Sequence, residues 1–158
     1  MKTVKGDLIQ LAKDGEFDVI IHGCNCYCAM GAGIAKSIKQ HFPEAYKADC
    51  KTKKGDKKKL GTYTFAEYHI TGTEKPFQKL RVINGYTQYN YAKGLINVDY
   101  DAIRSVFRKM KEDFGGQRLR FGYPLIGCGL AGGDWNIVKE IIEEELAGED
   151  HTLVVFLQ

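Results

Sequence analysis

Two stretches of this 158-residue chain set glycines between an apolar run and a helical pattern, an order that brings backbone amides to an anion. In Ile20–Ala35, IIHGCNCYCAMGAGIA, an apolar run ends in polar residues and passes through Gly31 and Gly33 into a helical pattern. In Tyr123–Trp135, YPLIGCGLAGGDW, the same passage runs through Gly127, Gly129, Gly132 and Gly133 to a pattern that opens at Asp134. Glycine admits a ligand close to the backbone, and the first turn of a helix holds free N–H groups with partial positive charge. Either stretch alone is explained equally well by a tight turn. Two of them in one small α/β domain, side by side where the strands end, predict a cleft for a diphosphate. Neither stretch continues into Gly-Lys-Ser/Thr, and neither is a Gly-x-Gly-x-x-Gly after a first strand. Triphosphatases and NAD-linked dehydrogenases are thereby disfavoured, and a dianionic nucleotide sugar stays open.

Few side chains near these turns can move protons. His22 closes an apolar run three residues before Asn25, and its imidazole is either an acid or base near neutral pH or a buried ring satisfied by its neighbours. Asp134 either orients water or caps the helix it precedes. Asp7, in Lys5-Gly6-Asp7-Leu8, has two roles open to it, accepting from an exocyclic amine such as adenine N6 or capping a helix. His22, Cys24, Cys26 and Cys28 alternate like zinc ligands, but a structural site adds a second pair and only Cys50 and Cys128 remain, so no metal is expected. Tyr86, Tyr89 and Tyr91 either border a base or ribose or belong to a half-buried strand and its exit.

Six apolar or alternating runs, at Thr3–Lys5, Phe17–His22, Thr62–Tyr68, Leu80–Tyr86, Leu119–Leu125 and Thr152–Leu157, predict the strands that must position these residues. Helical spacing of Ile103, Val106, Phe107, Met110 and Phe114 predicts a helix over Asp99–Phe114, and Val138, Ile141, Ile142 and Leu146 predict another over Asp134–Leu146. Shorter helices are expected at Ile34–Phe42 and Glu44–Cys50, separated by Pro43. Strands alternating with helices predict a sheet with helices on both faces, parallel in its middle and made mixed by a hairpin of Thr62–Tyr68 and Leu80–Tyr86. The length suits one domain over residues 1–158. The composition, 44% hydrophobic and 27% charged, excludes a disordered tail or a coiled coil. No apolar run approaches the ~18 residues of a spanning helix. The start, MKTVKGDLIQ, has no secretory pattern, so a cytoplasmic setting and reduced thiols are expected. A net charge of +3 is too small to argue for nucleic acid by itself. Lys51–Lys59, with six lysines, reads as a mobile, solvated connection, with a phosphate-rich partner as the rival reading.

Together, KGDL, IIHGCNCYCAMGAGIA and PLIGCGLAGGDW, in that order and across nearly the whole chain, resemble the macrodomain family, whose members bind ADP-ribose. The resemblance implies a three-layer α/β/α fold around a mixed, mostly parallel sheet of about six strands. It is nearest to the small single-domain branch that holds ADP-ribose-1''-phosphate phosphatases and enzymes that remove terminal ADP-ribose from acidic side chains or DNA. By that likeness Asp7 reads adenine with the amide of Leu8, and Asn25 faces the distal ribose. Met30, Gly31, Ala32, Gly33, Ile34 and Ala35 wrap the distal ribose and diphosphate. Ile126, Gly127, Cys128, Gly129, Leu130 and Ala131 form the second phosphate loop, and Phe156 lies against adenine unless it packs in the core. The glycosidic branch carries a lysine after a threonine and an aspartate after Gly-Cys-Gly-Leu; here Gln88 follows Thr87 and Ala131 follows Leu130. An amide forms no covalent sugar adduct. The expected activity is therefore removal of phosphate from ADP-ribose 1''-phosphate, with His22, Asn25 and Asp134 as catalytic candidates and Gln88 as a contact to the terminal group. ADP-ribosyl hydrolysis, deacetylation of ADP-ribose esters, and binding without turnover are the alternatives. No cofactor or membrane is expected. The expected state is a monomer acting on a nucleotide sugar, free or attached to protein or nucleic acid.

Overall fold

In the computed structural model, which describes residues 1–92 and 96–156, the alternating runs become six strands of one sheet. They are β1 (Lys2–Gly6), β2 (Val19–Cys24), β3 (Tyr63–His69), β4 (Lys79–Tyr86), β5 (Arg120–Tyr123) and β6 (Asp150–Phe156), in the order β1-β6-β5-β2-β4-β3. All neighbours are parallel except β3, which runs antiparallel to β4 as the hairpin expectation required. The predicted sixth strand ended at Leu157, which lies outside the described residues.

The helices are α1 (Leu8–Lys13), α2 (Gly33–His41), α3 (Pro43–Cys50), α4 (Tyr100–Phe114) and α5 (Trp135–Glu145). Strand side chains alternate between two cores. Val19 and Ile21 of β2, Ile83 of β4 and Leu153 of β6 pack with the apolar stripes of α4 and α5. Ile20, Val82 and Val154 pack on the other side with Leu8, Ile9 and Ala12 of α1, Ile38 of α2 and Ala45 of α3. These are the three layers of the expected α/β/α fold. Asp99 and Asp134 cap α4 and α5, accepting from the amides of Ala102 at 3.0 Å and Asn136 at 2.9 Å. At the far end of the sheet Asp18 accepts from the Arg120 backbone at 2.8 Å and its guanidinium at 3.1 Å, locking β5 beside β2.

The lysine run departs from its reading as a mobile connection. The Asp56 carboxylate caps a 3-10 turn at Lys57–Lys59, and the Gly55 amide donates to the Cys26 carbonyl at 2.7 Å. Lys59 is buried; its ammonium donates to the Thr52 hydroxyl at 2.7 Å and lies 5.0 Å from the Tyr86 ring centre. Among the described residues no helix is long and apolar enough to cross a membrane.

Candidate functional site

The site follows from the strand order. Because β2 and β5 are neighbours and parallel, the loops that leave their carboxyl ends emerge together. A Cβ added at Gly33 in the first loop would lie 3.7 Å from a methyl of Leu130 in the second, so the two turns stand close together. They line one cavity of about 1220 Å³ with α1, α2 and the end of β6.

In the first loop, the Asn25 side chain braces the turn that leads to the helix. Its carbonyl oxygen accepts from the amides of Tyr27 at 2.9 Å and Ala29 at 3.4 Å, and its nitrogen donates to the Ala29 carbonyl at 2.9 Å. Cys28 takes a left-handed φ of 58° in this brace. α2 then starts at Gly33, and Ala32 before it offers no side-chain cap, leaving the first-turn amides of Gly33, Ile34 and Ala35 without partners among the described residues. In the second loop the Gly133 amide donates to Gly127 O at 2.7 Å and the Cys128 amide to Leu125 O at 3.1 Å, closing the turn on itself. The amides of Gly129, Leu130 and Ala131 have no partner among the described residues. Two glycines have a distinct reason to be there. At Gly31 and Gly129 nothing lies within 4 Å of a Cβ position and φ is not positive, so neither packing nor strain demands glycine. Their missing side chains keep the cavity floor at backbone level.

Phe156 pairs in register with Gly6, the residue before Asp7, and both Asp7 and Phe156 line the same cavity. Phe156 is 67% exposed and lines the cavity, so core packing is excluded for it. Asp7 caps α1, one carboxylate oxygen accepting from the amides of Ile9 at 2.9 Å and Gln10 at 3.3 Å. Its second oxygen has no partner among the described residues and belongs to a residue on the cavity wall. Both roles weighed for Asp7 are therefore open to the one group.

Leu8, Gly31, Ala32, Gly33, Ile34, Ala35, Gln88 and Ile126 through Ala131 all line the cavity, as does Asn25. Three expected site residues do not. Met30 turns inward and packs with Cys24, Cys26 and Tyr86. Asp134 is an exposed helix cap outside the lining, so capping is the role it fills. His22 lies under the sheet's α3 face, 1% exposed, and also outside the lining. Its Nε2 meets Asn84 Oδ1 at 2.8 Å, while the Asn84 amide nitrogen donates to Ala45 O and Thr64 Oγ1; Nε2 therefore carries the proton. Burial, opposed by the Asn84 bond, lowers its pKa to about 4. A ring neutral at pH 7 and shut off from the cavity cannot serve as its acid or base.

Tyr86 is likewise buried, donating to Asp49 at 2.8 Å, and does not border a ligand, whereas Tyr91 does line the cavity. Burial raises the pKa values of the Cys24 and Cys26 thiols, and that of Cys128 to about 11, so none is a ready thiolate. Sequence reasoning missed Gln10 and Lys13 of α1, Ser37 and His41 of α2, and Asn97. Ser37 and His41 follow Gly33 at steps of four, the spacing that repeats one helix face, and this signal was available. Lys13 Nζ donates to His41 Nδ1 at 2.9 Å. Thr87 Oγ1 is buried without a hydrogen-bond partner among the described residues, 2.6 Å from the Cβ position of Gly23, which only glycine leaves free.

Comparison with known proteins agrees with this geometry. An uncharacterized 17.5 kDa protein in the tk-vs intergenic region of Enterobacteria phage T4 is 33% identical over 147 residues, covering 90% of this chain and 88% of that protein. An ADP-ribose 1''-phosphate phosphatase of Aspergillus oryzae is 48% identical over 46 residues, 29% of this chain and 21% of that protein. Among solved structures, Thermosipho africanus DarTG in complex with ADP-ribose superposes with a TM-score of 0.71 at 20% identity, over 98% of this chain and 42% of that one. The Macro domain family model matches residues 21–142, and the chain belongs to that family.

Proposed function

We propose that the cavity binds ADP-ribose and that the chain hydrolyses the terminal phosphate of ADP-ribose 1''-phosphate without a cofactor. The observation that carries the binding is the pair of adjacent loops whose amides have no partner among the described residues, with a carboxylate and an exposed aromatic ring lining the same cavity. Adenine stacks on Phe156 and donates N6–H to Asp7; the diphosphate lies on the amides of the two loops; the distal ribose reaches Asn25 and Gln88. The complex of Thermosipho africanus DarTG with ADP-ribose supports the ligand, and the short match to the Aspergillus oryzae phosphatase supports the reaction.

Besides the two loops the cavity is lined by Asn25, Gln88, Tyr91 and Asn97, with Asp7, Lys13 and His41 contributed by the walls that α1 and α2 form. In the proposed reaction water forms a bond to phosphorus as the bond from phosphorus to the 1'' oxygen breaks, the monoester monoanion passes its own proton to that leaving oxygen, dihydrogen phosphate departs, and the amides hold the charge that spreads over the phosphoryl group in transit. Free phosphate is released from ADP-ribose 1''-phosphate, and the rate falls about tenfold per pH unit above the monoester's second pKa of about 6, where the proton is gone. A rate that rises with pH there would contradict the self-protonating route. Calorimetric binding with no phosphate released would leave a reader of ADP-ribose and overturn the phosphatase.

A further inference from the structure

The lysine stretch plays no part in the reading above, yet it is joined to the cavity wall through a row of tyrosines. Lys51–Lys59 holds six lysines and one aspartate, so in a chain of net charge +3 everything outside the stretch is net negative. Lys51, Lys53, Lys54, Lys57 and Lys58 are exposed, and none of them forms an ion pair among the described residues. The one acid, Asp56, is turned onto the Lys58 amide at 2.9 Å.

Aromatic rings connect this charge to the cavity wall. Tyr91 lines the wall and is 57% exposed. Its ring is 6.0 Å from that of Tyr27, which is 5.1 Å from that of Tyr89, and Lys57 Nζ stands 5.2 Å from the Tyr89 ring centre. The Tyr89 hydroxyl donates to Gly55 O at 2.8 Å, fixing the lysine turn to the tyrosines. Held cations beside an open aromatic face match a chain of phosphates whose bases are free to stack. A duplex hides its base faces, and an acidic peptide has no use for the ring.

We propose that this rim, from Tyr91 across Tyr27 and Tyr89 to the exposed lysines, binds a single-stranded polynucleotide at the cavity mouth. DNA and RNA share the required chemistry. The inference rests on the ADP-ribose reading only for what shares the mouth with the strand; affinity for the strand does not depend on it.

Fluorescence anisotropy with labelled dT and rU 12-mers, a 12-base-pair duplex and a polyglutamate peptide tests the surface. Both single strands are expected to bind more tightly than duplex or peptide, the tighter of the two naming the source. Four phosphate contacts would weaken binding about 50-fold between 50 and 200 mM salt. The double variant Lys53→Glu/Lys54→Glu, on exposed positions outside the cavity, should lose tenfold or more in strand affinity while keeping its melting temperature. Tyr91→Ala should lose about fivefold or more with the salt slope retained, because stacking and not charge is removed. No strand affinity at 50 mM salt, an unchanged lysine variant, or peptide or duplex bound as tightly as the strands would overturn the proposal. The melting shift with ADP-ribose reports the cavity alone and fails independently.

Discussion

Asp7 holds a helix end with one carboxylate oxygen and faces the cavity as a residue of its wall, so substitutions there separate two roles. Asparagine caps about as well as aspartate, whereas alanine costs about 1 kcal/mol. Asp7→Asn should therefore melt like the parent and bind ADP-ribose about tenfold more weakly, since a hydrogen bond to a charged group is worth about 1.5–3 kcal/mol. Melting curves and calorimetry check both halves; unchanged affinity would remove Asp7 from adenine recognition. His22 has a different duty. Burial lowers its pKa from 6.5 to about 4, so between those values the unfolded chain binds more protons than the folded one. This contribution to stability is complete above pH 6.5 and is lost as pH falls toward 4, by about 3 kcal/mol in all. Denaturant unfolding of His22→Gln should show a shallower acid limb than the parent. His151 shifts in the same direction, which is why the difference between the two proteins is the quantity to read. An identical acid limb would contradict the buried neutral ring. The run IIHGCN is equally consistent with a strand-end base and a core ring; the packing of α3 over Asn84 decides between them, and that contact is not local in sequence.

At the scale of elements, the two glycine loops separate structure from binding. A Cβ at Gly133 would lie 2.4 Å from the Gly127 carbonyl oxygen, inside the hydrogen bond that closes the second turn. Gly133→Ala should cost about 1–3 kcal/mol, the usual price of overpacking. Gly129 faces open space, so Gly129→Val should keep its stability within about 0.5 kcal/mol and lose tenfold or more in ADP-ribose affinity. Thermal melts and titration of the pair check this; full affinity in Gly129→Val would mean that no ligand lies on that loop. The strands and the two long helices were legible because burial on one face imposes a period on the sequence. α1 was not, since six residues are too few to display one, and Asp7 as a possible cap was its single trace. The turn at Lys57–Lys59 was hidden for another reason: composition marks the run as solvated, while Lys59 is drawn under Tyr86 by contacts distant in sequence.

At the scale of the whole molecule, the order β1-β6-β5-β2-β4-β3 makes one cavity of separate motifs. It places the β2 and β5 loops next to each other and sets the end of β6 beside the turn after β1. Glycine-rich motifs and their order were readable in the chain; their adjacency depends on strand order, which parallel crossovers set and periodicity does not encode. The cavity thus offers two different grips, a carboxylate with a ring and a pair of amide loops. A thermal-shift titration comparing ADP-ribose with adenosine monophosphate reads both grips at once. ADP-ribose at a hundred times its dissociation constant should stabilise the protein by about 2.7 kcal/mol, and the monophosphate at the same concentration by much less, because it lacks the second phosphate and the distal ribose. Equal shifts for the two ligands, or none for either, would contradict the claim that the two loops hold a diphosphate.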